Sequence, residues 1–205
     1  MTAAVLWGLV AIGLVTILSP LLASLAVSRA DAQWYHSLKR PHWAPSDRAA
    51  GAIWGGLHVL SAVGAGLAWW AAGGNWDKAG GAMLLYGLQL ALGALWAYLF
   101  FAQRRLGAAA GATAAIALCL YAATMSFFGL NLAAGLLLVP SLGWALVATL
   151  LSAVMWEMNT EPPAQPTPAA IATGLAFQVG SVTFTPETVR HSVVTRMRAG
   201  LKAVR

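Results

Sequence analysis

The chain has 205 residues, 60% of them hydrophobic and only 9% charged, with a formal net charge of +6. A soluble domain of this size carries about 25% charged residues, so the composition excludes an ordinary soluble enzyme and points to a membrane protein. The single cysteine, Cys119, lies inside an apolar run, which excludes an intramolecular disulfide and a thiolate metal site.

A membrane span needs roughly 20 apolar residues. Five such runs follow one another, at about 4–27, 49–72, 80–102, 107–130 and 131–155. They predict an all-α integral membrane protein, a five-helix bundle. No run alternates polar and apolar residues as the strands of a membrane β-barrel do. The first run has no Lys or Arg before it and is longer than a signal core, so it reads as a retained span. Pro20 falls inside it and is expected to kink it, as bundles tolerate. Residues 159 and 160 mark a change in composition. Domain organisation is read as a transmembrane domain over 1–159, a Pro-rich linker over 160–170 and a basic tail over 171–205. The linker holds Pro162, Pro163, Pro166 and Pro168 and is semi-rigid. In the tail, 176–185 resembles a strand. Thr185-Pro186-Glu187 then reads as the start of an amphipathic helix with basic residues on its polar side.

With five spans, one side of the membrane receives Arg29, Lys39, Arg40, Arg48, Arg104, Arg105 and the five cations of the tail, and the other side receives Lys78 alone. The positive-inside rule puts the first loop and the C-terminus in the cytoplasm and the N-terminus outside. The net charge is therefore read as topology, not as nucleic-acid binding.

The loop 34–45 reads Trp-Tyr-His-Ser-Leu-Lys-Arg-Pro-His-Trp-Ala-Pro. Aromatic residues with a polar edge favour the membrane boundary, and prolines stiffen the backbone. The segment is expected to form a rigid, aromatic, cationic lid over one end of the bundle, with Trp34, Lys39, Pro41, Trp43 and Arg48 as lid residues. In the third span, Gln89, Gly93, Trp96 and Phe100 are spaced to share one helix face. Trp54 and His58 are one turn apart in the second span, and Pro140 and Trp144 one turn apart in the fifth. Ten tryptophans either line a π-rich pocket for a flat ligand or anchor the interfaces; Trp69, Trp70 and Trp76 are read as anchors. His58, an ionisable group well inside a span, is a functional candidate. Its open readings are a contact to a ligand carboxylate, ligation of a haem iron, or a bond to its own backbone. His36 and His42 have no zinc spacing, so no metal is assigned. No catalytic constellation is present. Gly51 and Gly55, Gly87 and Ala91, and Gly107 and Gly111 have the small-xxx-small spacing and are read as packing within the bundle.

These residues resemble the tryptophan-rich sensory protein family, also called TspO or translocator protein (TspO/MBR). Trp34, Tyr35, Leu38, Pro41, Trp43, Pro45, Gly51 and Trp54 match its first loop and second span. Gln89, Leu92, Trp96, Phe100 and Phe101 match its third span, and Pro140, Leu142, Trp144, Ala148, Thr149, Leu151, Trp156 and Asn159 its fifth. The resemblance covers about 5–159. It implies a five-helix bundle, commonly dimeric, that binds porphyrins and other tetrapyrroles, sterols and synthetic drugs beneath the first loop. Tyr35, Trp54, His58, Gln89, Gly93, Trp96, Phe100 and Trp144 are the expected ligand-binding residues, with a porphyrin or haem as ligand and no obligatory cofactor. Trp54 and Tyr35 carry the contact by that resemblance, and Trp144 walls the pocket. The chain departs from the family where an Asn becomes Gly93, a Ser becomes Ala97, a Trp becomes Arg48 and two Tyr become His58 and Ser141. His58 and Arg48 can supply substitute polar contacts. The sterol pattern is missing around 151–157. The alternative function is a non-catalytic accessory or assembly subunit of a larger membrane complex, engaged through the tail. Porphyrin breakdown on the tryptophans is a third, less favoured reading. A bacterial inner membrane is the expected location.

Overall fold

A computed structural model describes residues 2–160, 177–179 and 182–184. Five long helices carry the chain through the membrane: α1 (Ala3–Ser28), α3 (Asp47–Ala71), α4 (Trp76–Ala97, continued by a π-helical segment Tyr98–Ala102), α5 (Leu106–Leu130) and α6 (Leu132–Asn159). They coincide with the five apolar runs to within a few residues. The differences come from capping. Asn75 accepts the backbone N–H groups of Asp77 and Lys78, so α4 begins four residues before its apolar run. At its other end α6 outlasts its apolar run as far as Asn159. Both α1 and α6 continue through their internal prolines, Pro20 and Pro140.

The loop between α1 and α3 is not wholly irregular. It contains a short helix, α2 (Ala32–Ser37), that sequence reading did not anticipate. Asp31 caps it by accepting the Trp34 N–H at 3.1 Å. Residues 1–159 form one compact unit. In the remainder, Phe177–Val179 (β1) pairs antiparallel with Val182–Phe184 (β2), Phe177 opposite Phe184, within the stretch read as strand-like. The Pro-rich linker and the basic amphipathic helix lie outside the described residues.

The five spans close into a ring. α1 packs on α3 and α4, α4 on α5, α5 on α6, and α6 returns to α3. Lipid is as apolar as a leucine side chain, so close backbone approach and hydrogen bonds hold such a ring together. Gly64 of α3 faces α6: a Cβ there would stand 2.7 Å from Leu138 and 3.1 Å from the Ala134 carbonyl. Gly135 receives Phe128, and Gly8 receives the Trp69 indole. At the α3–α4 turn, Gly73 and Gly74 adopt φ of 68° and 73°, and a Cβ on Gly74 would stand 2.8 Å from the Val5 backbone nitrogen. That turn is thereby tucked under the first turn of α1. The expected small-residue pairs behave differently. A Cβ at Gly51, Gly55, Gly87 or Gly111 would meet nothing within 4 Å, and of the glycines in those pairs only Gly107 receives a neighbour, Trp156. Apart from Gly107, these glycines make no close packing contact within the bundle.

Polar side chains stitch the spans. The Thr16 hydroxyl donates to the Ile12 carbonyl, which leaves Tyr86 to donate to Thr16 across α1 and α4. Ser19 donates to the Leu90 carbonyl at 2.9 Å. Ser61 gives its proton to Leu57, so Ser141 donates to it at 2.9 Å, joining α3 to α6. Outside this ring the spans expose Leu14, Ile17, Leu84, Leu118 and Leu150, a lipid-facing surface that water would not tolerate.

Replacing Gly64 by Val should lower stability by about 1–3 kcal/mol through overpacking. Gly55→Ala should be neutral or stabilising by about 0.5–1 kcal/mol, since it adds helix propensity in open space. Thermal unfolding in detergent of the two variants checks this; equal midpoints would show that Gly64 is not a point of closest approach.

Candidate functional site

The lid end of the bundle is built on α2. One turn of helix presents Trp34 and Tyr35 side by side toward the end of α4. Three sets of bonds fix them. Arg104 pairs with Asp31 at 3.1 Å and lies over the Trp34 ring at 5.4 Å. Arg40 pairs with Asp47 at 2.8 Å and lies 4.1 Å over the Tyr35 ring, while the Tyr35 hydroxyl donates to the same carboxylate at 2.7 Å. Finally, the Asn159 side chain accepts the Lys39 N–H and donates to the Lys39 carbonyl, both at 2.9 Å, and donates again to Met155. Lys39 is thus held by its backbone.

Electrostatics agree with this geometry. Bonding to the Trp34 N–H, assisted by Arg104, lowers the Asp31 carboxyl below its ordinary value. A depressed carboxylate contributes above its unfolded value and is lost as pH falls through the folded one, so this tie is complete at neutral pH and fails only in acid. Burial, and then the bond to Asp47, raise the Tyr35 phenol, which stays a donor.

Beneath the lid, α4 leaves α-helical register. The π-helical segment Tyr98–Ala102 ends in a left-handed Arg104 (φ 52°), with the Arg105 N–H returning to the Leu99 carbonyl at 2.9 Å. Within it Phe100 and Phe101 are 4.8 Å apart. Trp96 stacks on Phe100 (5.5 Å, 30°) and meets Phe101 edge-on. Trp34 meets Phe100 and Tyr35 meets both phenyl rings. Met155 and Leu151 of α6 and Ala109 of α5 close the cluster.

A second group sits between α3 and α6. Trp54 lies 6.4 Å from Trp144, edge to face, and 6.2 Å from His58. His58 Nδ1 is 2.8 Å from the Trp54 carbonyl. A carbonyl only accepts, so Nδ1 carries a proton and donates to it, which leaves Nε2 free of that bond. The backbone bond was one of the three open readings for His58. Trp96 also packs against Ala145 and Leu142 of α6, the stretch that carries Trp144.

Two polar atoms here stand out. The indole N–H groups of Trp96 and Trp144 are buried and have no acceptor among the described residues. Such a donor costs about 1–3 kcal/mol.

The structure therefore brings Tyr35, Trp34, Trp96 and Phe100 into one cluster and Trp54, His58 and Trp144 into another. It does not gather every expected residue. Gly93 looks toward α1, where Ser19 is 3.8 Å from the position of a Cβ. Gln89 is half-buried two turns before Trp96. Trp43 is 40% exposed, the Pro41 carbonyl accepts the Ala44 N–H, and Arg48 is exposed on the first turn of α3. Of the expected anchors, Trp70 and Trp76 are exposed, but Trp69 is buried and donates to the Ala4 carbonyl; the gap at Gly8 gives its ring a place inside. The ties made by Asp31, Asp47, Arg40 and Arg104 were not anticipated. The available signal was opposite charges bracketing an aromatic pair. Among the described residues no group of three His, Cys, Asp or Glu is placed to hold a metal.

The chain matches the model of the TspO/MBR family over residues 4–157. It is 32% identical to human translocator protein over 127 residues, covering 62% of this chain and 75% of that protein. It is 31% identical to the tryptophan-rich sensory protein of Cereibacter sphaeroides over 131 residues, 64% of this chain and 80% of the relative. Protein CrtK of Rhodobacter capsulatus is 29% identical over 126 residues, 62% of this chain and 78% of the relative. The first two names describe a translocator and a sensory protein rather than enzymes. With five spans, an aromatic lid and a match across almost the whole bundle, this chain is a member of the TspO/MBR family of integral membrane proteins.

Proposed function

We infer that this protein is a membrane-embedded binding protein for a tetrapyrrole, a porphyrin or haem, acting as a sensor or carrier. The observation that carries the reading is the pair of buried indole donors, Trp96 and Trp144, left without acceptors among facing aromatic rings. A flat, π-rich ligand with ring-edge acceptors or carboxylates supplies what both groups lack. It stacks on the rings and bonds the donors, and its propionates meet the cations around the lid, Arg48 among them. His58 offers Nε2 as a further polar contact. The lid is read as cytoplasmic, from the charge asymmetry, and the membrane as a bacterial inner membrane. Residues 1–159 are taken as the binding domain and the tail as a separate element.

Ligand entry then requires the lid to give way, and Asn159 is its longest-range tie. Saturable quenching of tryptophan fluorescence by protoporphyrin is the expected result for the purified protein. Trp54→Ala should weaken it at least several-fold; unchanged affinity in that variant, or no saturable quenching at all, would sink the reading.

Trp144→Phe keeps an aromatic ring and removes the orphan donor. Protoporphyrin affinity should fall roughly three- to tenfold, the effect of one hydrogen bond of about 0.5–1.5 kcal/mol. Quenching titrations at fixed detergent check this, and undiminished affinity would remove the indole donor from the site.

Asn159→Asp abolishes the donor to Lys39 and Met155. Amide exchange in 34–43 should accelerate about tenfold, corresponding to about 1.4 kcal/mol, while exchange within α5 stays unchanged. Unaltered exchange in the loop would mean that the clamp does not hold the lid.

A further inference from the structure

A groove of about 190 Å³ opens between α1 and α4 in the half of the bundle away from the lid. Its walls are Gly8 and Ile12 of α1, Trp69 of α3, and Trp76, Tyr86 and Gly87 of α4. It is separate from the aromatic site beneath the lid, and its chemistry is the opposite. The buried polar side chains in its walls, Trp69 and Tyr86, are already bonded within the protein. The Trp69 indole donates to the Ala4 carbonyl, and the Tyr86 hydroxyl is used by Thr16, whose own proton goes to Ile12. No buried side-chain donor in its walls is left over, so its interior makes no demand for a hydrogen-bonding ligand.

We propose that this groove seats one acyl chain of a phospholipid from the leaflet on the far side from the lid. Four observations lead to that occupant. Both walls are membrane-spanning helices, so an occupant arrives from the hydrocarbon. The groove continues into the lipid-facing surface formed by Val15, Leu84 and Leu88, all exposed. A volume of about 190 Å³ is below the roughly 300–1,000 Å³ of sites for drug-sized ligands, but it suits a segment of a single chain. Last, the floor is open at Gly87, where a Cβ would meet no atom within 4 Å. The Trp69 and Trp76 rings, 6.2 Å apart and edge to face, form the wall nearest the membrane boundary.

The test uses the full chain in nanodiscs of phosphatidylcholine, with a fraction of the lipid carrying a diazirine near the end of one acyl chain. Photolabelled peptides are mapped by mass spectrometry. Labelling should concentrate at 83–87 several-fold above the exposed face of α5 that carries Leu118, Tyr121 and Met125. Gly87→Leu, which fills the groove, should reduce it at least fivefold, and Gly87→Ala should reduce it less. Helical circular dichroism and protoporphyrin quenching serve as folding controls. If Gly87→Leu fails them, the Gly87→Ala variant decides, because its added carbon enters empty space. Uniform labelling along α1, α4 and α5, or labelling indifferent to residue 87, overturns the proposal. So does protein–protein crosslinking at 83–87 that disappears in the Gly87 variants, because the occupant would then be a second copy of the chain.

Discussion

Helices surrounded by hydrocarbon gain nothing from hiding leucines, so this bundle depends on how closely a few of its backbones can approach. Gly64 against Ala134 and Leu138, Gly135 against Phe128 and Gly8 against Trp69 supply those approaches. Cross-helix hydrogen bonds then fix the register: Tyr86 to Thr16, Ser19 to Leu90 and Ser141 to Ser61. Each averages only about 0.6 kcal/mol in membranes, yet each has a single geometrical solution. The ring of five spans that results holds α4 and α6 where the indole N–H groups of Trp96 and Trp144 face the interior.

On that frame the lid is a tethered structure, not a free loop. Its short helix sets Trp34 and Tyr35 against Phe100, and its ties reach three different spans: Arg104 beyond α4, Asp47 on α3 and Asn159 on α6. The last is selective for position rather than for identity, since it reads only the backbone of Lys39. The distribution of satisfied and unsatisfied donors divides the molecule chemically. The groove between α1 and α4 has its buried polar side chains internally bonded, whereas the region under the lid retains two indole donors without an acceptor among the described residues.

The five spans were legible because hydrocarbon thickness imposes a length that composition alone reveals. The aromatic residues of the site were legible through helical spacing and through the family resemblance. Other features were not. The α2 helix depends on a single cap, Asp31, and is too short to leave a periodic signature. Trp69 reads as an interface anchor until Gly8, sixty positions away, is seen to make room for it. The glycine pairs at 51 and 55 and at 107 and 111 have the right spacing for packing, but spacing does not reveal whether a neighbour faces them. Gly93 sits on the same nominal stripe as Trp96, yet it turns toward Ser19 of α1. The continuation of α6 to Asn159 runs beyond its apolar run and reflects a partner 120 residues away in sequence.

The π-helical segment at the end of α4 makes chain length itself a constraint. A π turn holds one more residue than an α-helical turn, so everything after it is rotated by about 100° relative to an uninterrupted α-helix. That offset lets neighbouring Phe100 and Phe101 both join the cluster and brings Arg104 round to Asp31 and Trp34. Substitutions within 98–102 alter only the contacts of the side chain replaced. Loss of a single residue there would reset the phase of the helix and carry Arg104 to the wrong side. In this short stretch the number of residues is therefore held more tightly than their identity.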